Sequence, residues 1–576
     1  MELHGKRVMV LGGAGLVGQA ICRHLIDEEV AELMIASLVE EDAIDSIAQL
    51  HAQFPDTACR LTPLGGDIFA PLDLKDLPRT ERLADPVHRA RLTDLLLHPM
   101  RESILTQATL YQWCMEYRPE IILDCVNSAT ALAYSDVYSA AQQLRSAVDE
   151  QQSFDLLEGM SERLCLALGI PQLIRHIQIL WQSMLEAKTD FYLKIGTSGT
   201  GGLGITIPYT HSEGRDSQLL LSKAAIAGAH SLLLFLLART PGGPIVKELK
   251  PTAYIGWKKI GFGPIVYRGK PFYLEDCPPE AALPVRKGAM ARAGSLTPRY
   301  LTDDTGQPRP LEAPYIDTGE NGMWSHHEFA LVTDHSQMEF ITPEEIAQVA
   351  VWEIQGRNTG HDIIAALDIS TMGPTYRAGY MRGKALAQLR QLEEETGIES
   401  ITFETGGPTV AKYLYEAYLL SRVFPNCEEM LQATPEQISE KTSALITTDV
   451  TLRSRIISIG IPILMPDGQR LLRGQTIHIP SKSHLSGAQS AEEADLEEWA
   501  AEGWVDLRAT NWTRWMARAQ RILEQLQRSD PRDTSSYNAQ GDRYWEVDAE
   551  GHHPILISKF VSWIFRTEQQ GERMKD

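Results

Sequence analysis

Apolar positions along this chain follow two spacings that take turns. Residues 8–11, 33–38, 60–64, 121–126, 191–195 and 245–255 are apolar runs with little polar alternation. Such runs predict strands buried on both faces. Between them the spacing becomes helical: Leu16, Val17, Ala20, Ile21 and Leu25 after the first run, then residues 104–117 and 136–188. Residues 219–238 are apolar almost throughout, interrupted by Lys223 and His230; they predict a helix buried on several sides, not a membrane span. Strand–helix alternation with loops gathered at strand C-terminal ends describes an open parallel sheet. Residues 71–101, charged and proline-containing, read as an insertion.

The pattern changes past residue 260. Residues 256–314 are rich in glycine, proline and arginine and predict loops and short strands over the mouth of a site. Thr342-Pro343-Glu344-Glu345 starts a helix running to residue 354, and residues 362–369 read as a strand. Helices are expected over 411–423 and, after a Thr434 cap, 435–445; a strand over 456–464 precedes the turn Pro466-Asp467-Gly468. Residues 492–528 are helical in pattern, with a break at Gly503. The expected organisation is residues 1–260 as a nucleotide-binding domain, 261–400 as a substrate-side segment partly rejoining the sheet, and 401–576 as a mostly helical region.

Candidate chemistry concentrates at the ends of the strands. The first run enters Gly12-Gly13-Ala14-Gly15-Leu16-Val17-Gly18 and the helix begins at once. A strand turning through glycines into a helix presents backbone N–H groups and the positive helix end, an arrangement that cradles the pyrophosphate of a dinucleotide. Gly66-Asp67-Ile68 after the third strand offers Asp67 to an adenine amino group, or as a turn or cap. Asn127 and Ser128 after the fourth strand are small polar residues where a backbone must approach a cofactor. The second strand ends in Ser37, with Glu40 and Glu41 beyond. A carboxylate there suits the free ribose of NAD, whereas Ser37 leaves room for the phosphate of NADP; the balance leans to NAD.

Charge and cysteine content narrow the setting. A formal net charge of −22 over 576 residues excludes a nucleic-acid partner. Seven scattered cysteines without a Cys-x-x-Cys pair predict reduced thiols in a cytoplasmic protein, with neither disulfide framework nor zinc site. Trp324-Ser325-His326-His327-Glu328, with Asp334-His335, reads as a polar loop and not as a metal centre. Arg377, Arg382 and Lys412 beside glycine–proline turns either face an anionic substrate or belong to turns between helices.

Taken with Pro119-Glu120 before the fourth strand, Thr197-Ser198 after the fifth and Ser222-Lys223-Ala224-Ala225 in the apolar helix, these pieces resemble the short-chain dehydrogenase/reductase superfamily, nearest its extended branch of epimerases, dehydratases and reductases. The resemblance covers residues 5–260, with echoes to about 380. It implies an α/β fold, a Rossmann-type doubly wound parallel sheet, here with a large, mostly helical C-terminal extension. It also implies an NAD(P)-dependent oxidoreductase acting on a hydroxyl or carbonyl carbon of a fairly large substrate, or an epimerase or dehydratase that retains its NAD. Gly12, Gly13, Gly15, Leu16, Val17, Gly18, Asp67, Ile68, Asn127 and Ser128 would hold the cofactor. Lys223 would hold the nicotinamide ribose, and Thr197 and Ser198 the substrate oxygen. A homodimer through the Lys223 helix is a further implication.

One residue departs from that pattern. The superfamily places its acid/base tyrosine four residues before the lysine, where this chain has Leu219. A phenol needs an adjacent cation to work near neutral pH. Three readings stay open: Tyr209 supplies the phenol from a loop, His211 or Glu213 moves the proton, or the chain is a catalytically silent dinucleotide-binding scaffold.

Overall fold

The computed structural model describes residues 1–133, 135–196, 218–251, 254–267, 270–285, 297–319, 322–334, 340–357, 369–372, 376–478, 493–527 and 545–568. The chain divides into two units, 1–256 with 339–378, and 257–338 with 379–576. This differs from the three consecutive regions expected, because the chain leaves the first unit and later returns to it.

The first unit is built on seven parallel strands: β1 (Arg7–Leu11), β2 (Glu32–Ser37), β3 (Arg60–Gly65), β4 (Ile121–Asp124), β5 (Phe191–Ile195), β6 (Ile245–Pro251) and β7 (Ile369–Met372). Their order is β7-β6-β5-β4-β1-β2-β3. It is a Rossmann-type doubly wound sheet whose order reverses between β1 and β4. The helices are α1 (Leu16–Asp27), α2 (Glu40–Gln53), α3 (Arg79–Ala84), α4 (Pro86–Leu97), α5 (Glu102–Leu105), α6 (Thr109–Tyr117), α7 (Ser128–Ala133), α8 (Val137–Asp149), α9 (Phe154–Ala167), α10 (Gly169–Ala187), α11 (Gln218–Ala238) and α12 (Pro343–Gln355).

The unbroken apolar strands follow from burial on both sides. Val8, Val10, Leu33, Ile35, Ile121, Leu123, Phe191 and Leu193 enter one core with α1 and α12. Met9, Leu11, Met34, Ile122 and Tyr192 enter the other with α10 and α11. Register keeps each set together, with Met9 opposite both Met34 and Ile122, and Ile122 opposite Tyr192.

Several expected boundaries shift. The helix expected over 104–117 is split, because Leu72 N–H donates to Gln107 O and Thr109 N–H to Ala70 O, pulling that segment out of the helix. The strand expected to reach residue 255 stops at Pro251, and Tyr254–Ile255 pairs with Phe340–Ile341 instead. Ile369–Met372 pairs with β6, so the late strand rejoins the sheet; residues 358–368, where most of it was expected, lie outside the described residues. The 71–101 insertion carries α3 and α4.

The second unit is mostly helical. Pro408–Val423, Pro435–Thr448, Val450–Ser458, Ala509–Gln527 and Ile557–Thr567 pack around Leu414, Trp512, Trp515 and Phe560. A small sheet joins Leu283–Pro284, Arg470–Leu472, Ile463–Leu464 and Val505–Asp506. The strand expected over 456–464 is shorter, since Ile456 and Ile457 complete a helix started by the Asp449 cap. Gly503 breaks the last tryptophan-rich stretch as its sequence requires.

Candidate functional site at the sheet switch point

Gly12 takes a φ of +73°, a conformation open to glycine, and turns the chain out of β1. A Cβ on Gly18 would lie 2.2 Å from Gly12 O, and one on Gly13 would lie 2.8 Å from Ile35 Cγ2. Gly15 is the N-cap of α1, with no side-chain cap and no acidic residue in the first turn. The first bond onto the helix runs from Gln19 N–H to Gly15 O. The N–H groups of Leu16, Val17 and Gly18 precede it and have no acceptor within the helix. The turn meets the end of β4, where a Cβ on Gly12 would lie 3.2 Å from the Cys125 carbonyl carbon. The glycine turn, Asn127 and Ser128 therefore come together in the crevice where the strand order reverses. A pyrophosphate fits this cradle: bare N–H groups, a positive helix end and no Cβ in the way.

The other expected residues have more particular surroundings. Asp67 has donors on both oxygens: Phe69 N–H on Oδ1 at 2.9 Å and Arg82 Nη2 on Oδ2 at 2.5 Å. Ile68 is buried beside it. Asn127 Oδ1 accepts from Thr130 N–H, capping α7, and Ser128 is buried at that helix start. Lys223 is 2% exposed on a buried stripe of α11 with Ala227, His230 and Leu234. Thr197, Ser198, Tyr209, His211 and Glu213 lie outside the described residues.

The stripe corrects one expectation. Helix α11 is buried on one side only, against α7, α10 and β6. Its opposite side leaves Leu221 45%, Leu232 60% and Leu236 53% exposed.

A second group of residues escaped sequence reasoning. Asp124, Lys194 and Glu248 stand side by side in register across β4, β5 and β6. Lys194 Nζ is 2.9 Å from Asp124 Oδ1, donates to Val126 O at 2.5 Å and reaches Ser128 Oγ at 3.3 Å. Tyr192 donates to Asp124 Oδ2 at 2.8 Å. A buried ion pair thus pins the loop after β4. Burial alone would raise the Asp124 carboxyl, but the Lys194 ammonium outweighs it and holds the pKa below the usual range. His176 and His230 complete the cluster, ring centroids 6.4 Å apart. Burial lowers His176 to about 4 and takes His230 well below its ordinary value. His176 Nε2, His230 Nε2 and Glu248 Oε2 are buried with no hydrogen-bond partner among the described residues. The signal was present: charged residues at the end of β4, near the end of β5 and inside β6, among apolar neighbours.

The remaining candidates have structural partners. His326 lies 2.6 Å from Glu393, His327 2.9 Å from Ser558 Oγ, and Glu328 closes a capping box on Ser325. The expected polar loop is a capped helix, His326–Val332. Lys412 is buried against Glu416, and Arg382 donates to Thr333 Oγ1 and Ala330 O.

Glycine turn, switch point and parallel sheet define a Rossmann-type α/β protein with a second, mostly helical unit. Residues 274–569 match the family model described as "Beta-methylindole-3-pyruvate reductase C-terminal domain". The match spans more than half of the chain, which belongs to that family. Curated proteins give no significant sequence match. Among solved structures, a 3-oxoacyl-[acyl-carrier protein] reductase from Brucella melitensis shares 11% identity, covering 65% of this chain and 91% of its own, with a TM-score of 0.29. A short chain dehydrogenase from Burkholderia cenocepacia in complex with NADP shares 13% identity, with 66% and 100% covered and a TM-score of 0.29. A blue fluorescent protein from a metagenomic library, in complex with NADPH, shares 13% identity, with 65% and 97% covered and a TM-score of 0.27.

Proposed function

We propose that the chain is an NAD(P)-dependent reductase of short-chain dehydrogenase type, acting on the ketone of a fairly large 2-oxo acid. The carrying observation is the bare N-terminus of α1 at the β1/β4 switch point. The family name supports the reaction type and points to an indolepyruvate-like substrate. A nicotinamide dinucleotide held there would supply the hydride. The chain's own residues do the rest: the N–H groups of Leu16, Val17 and Gly18 hold the pyrophosphate, Asn127 and Ser128 border it, and Ile68 with Asp67 borders the adenine. Lys223 holds the ribose, Thr197 or Ser198 orients the substrate oxygen, and Tyr209 is the leading proton donor. Glu40 and Glu41, in the first turn of α2, favour NAD over a 2′-phosphate.

A recycling epimerase or dehydratase, with NAD retained through purification, is the enzymatic alternative. Leu219 in place of the superfamily tyrosine favours a second reading, a silent dinucleotide-binding scaffold. The exposed stripe of Leu221, Leu232 and Leu236 supports a homodimer through α11, and seven unpaired thiols suit a reducing cytoplasm.

Titration with NADH and NADPH, then turnover of indole-3-pyruvate followed by loss of reduced nicotinamide, tests the proposal. NADH is expected to bind more tightly, and Gly18→Ala to weaken it by roughly tenfold or more, since its methyl must displace the turn backbone. Lys223→Ala should abolish turnover; unchanged turnover overturns the catalytic assignment. Dinucleotide binding without turnover of any carbonyl substrate favours the scaffold.

A further inference from the structure

A second cavity, of about 110 Å³, lies in the first unit between the insertion helices and α10. Two chemistries meet on its wall. Leu83, Leu92, Leu95, Leu96, Ile104 and Ile179 form an apolar lining, and Leu92, Leu95 and Leu96 are only half-buried. Against them stand Arg79, Arg82 and Arg175, with Asp67 as the single carboxylate on the wall among the described residues. Among the described residues three guanidiniums thus face one carboxylate, a local positive excess in a chain of net charge −22.

Arg82 is paired with Asp67, whereas the hydrogen bonds of Arg79 and Arg175 go to neutral acceptors. Arg82, 7% exposed, gives Nη2 to Asp67, while its buried Nε has no acceptor among the described residues. Arg79 donates to Leu166 O at the rim. Arg175 donates to the carbonyls of Leu96 and His98 and to Gln178 Oε1, and its Nε is likewise buried without an acceptor. His176, its ring tilted against Phe69 with centroids 4.7 Å apart, closes one side; burial lowers its pKa to about 4, so it adds no charge at neutral pH. Arg79 and Arg175 therefore bring to the wall charge that no carboxylate among the described residues pairs with, and a bound anion would pair with it. The leucine wall asks the same ligand for an apolar body.

We infer that this cavity is a binding site for an amphipathic monocarboxylate, separate from the glycine turn. The carboxylate meets the Arg79 and Arg175 guanidiniums, and an acyl or aryl body lies along the α4 leucines. The Asp67–Arg82 pair links this cavity to the turn after β3. The inference does not rest on the catalytic reading of the first site.

Octanoate and its neutral analogue octanamide probe the site in the full-length protein, by calorimetry and ligand-observed NMR. Octanoate is expected to bind one per chain, and octanamide roughly tenfold more weakly for want of the charge-assisted bonds. Arg79→Met, at the rim, should weaken octanoate several-fold, and Leu95→Trp should abolish binding by filling the cavity. Lys223→Ala should bind octanoate as the parent does, which separates this site from the proposed catalytic one. No saturable octanoate binding overturns the inference. So does equal affinity for octanamide, or binding indifferent to both Arg79→Met and Leu95→Trp.

Discussion

Glu416 in the second unit and Glu248 in the first are both carboxylates buried among apolar side chains, but their surroundings differ. Glu416 accepts from Lys412 Nζ at 2.5 Å, Asp506 N–H at 2.9 Å and Trp515 Nε1 at 2.8 Å. Glu328, also in the second unit, accepts from Thr402, Ser325, Phe403 and Gly406. Glu248 has Ser231 at 3.1 Å and Lys250 at 3.5 Å on one oxygen, and no partner among the described residues on the other. His176 and His230, which interact with Asp124 and Lys194, carry orphaned nitrogens too. A saturated buried network fixes one packing. An unsaturated one, beside a crevice that fits a dinucleotide, holds hydrogen-bonding capacity in reserve. The contrast separates charge buried for architecture from charge buried near chemistry.

The contrast breaks most readily at Glu416. Glu416→Ala strands the Lys412 ammonium and the Trp515 and Asp506 N–H groups, so denaturant unfolding should show a loss of about 3–5 kcal/mol. A loss under about 1 kcal/mol would mean the network is ornamental.

The next test is pH. His176 titrates at about 4 in the fold against about 6.5 unfolded. Between those values the unfolded chain binds the extra proton, so the stability from keeping His176 neutral is full above pH 6.5 and lost as pH falls toward 4. The shift corresponds to about 3 kcal/mol. His176→Leu should flatten the pH dependence of the melting temperature across that window. An unchanged slope would show that His176 is not held neutral.

Smaller effects calibrate the comparison. Thr342→Ala removes the capping box of α12, in which Thr342 and Glu345 exchange bonds, and should cost about 1 kcal/mol in thermal unfolding. Glu248→Gln should change stability least, by under about 1 kcal/mol, because burial already raises the Glu248 pKa and disfavours its charge. A loss matching that of Glu416→Ala would erase the distinction between the units.

Much of the first unit was legible because two-sided burial writes itself into sequence. Residues 8–11 and 191–193 lie in central parallel strands covered on both faces and are apolar or aromatic, and glycines 12, 13 and 18 cannot carry a Cβ where the turn closes on α1. The second unit was less legible. Ile456 and Ile457 fit a strand or a helix equally by local pattern, and the Asp449 cap and the packing around Leu414 and Trp512 decide for the helix. His326 and His327 looked like a loop until a capping box formed around Ser325.

By itself, then, the sequence determined the parallel strands, the glycine cradle and the capped helix starts, since each depends on residues close together in the chain. Only the tertiary structure decided that β7 rejoins the sheet and that Asp124, Lys194 and Glu248 align across three strands. It alone set Arg82 beside Asp67 and made Arg79 and Arg175 walls of one cavity. Those residues are separated by tens to more than a hundred positions, and local periodicity carries no information about which strand end or helix face will meet another.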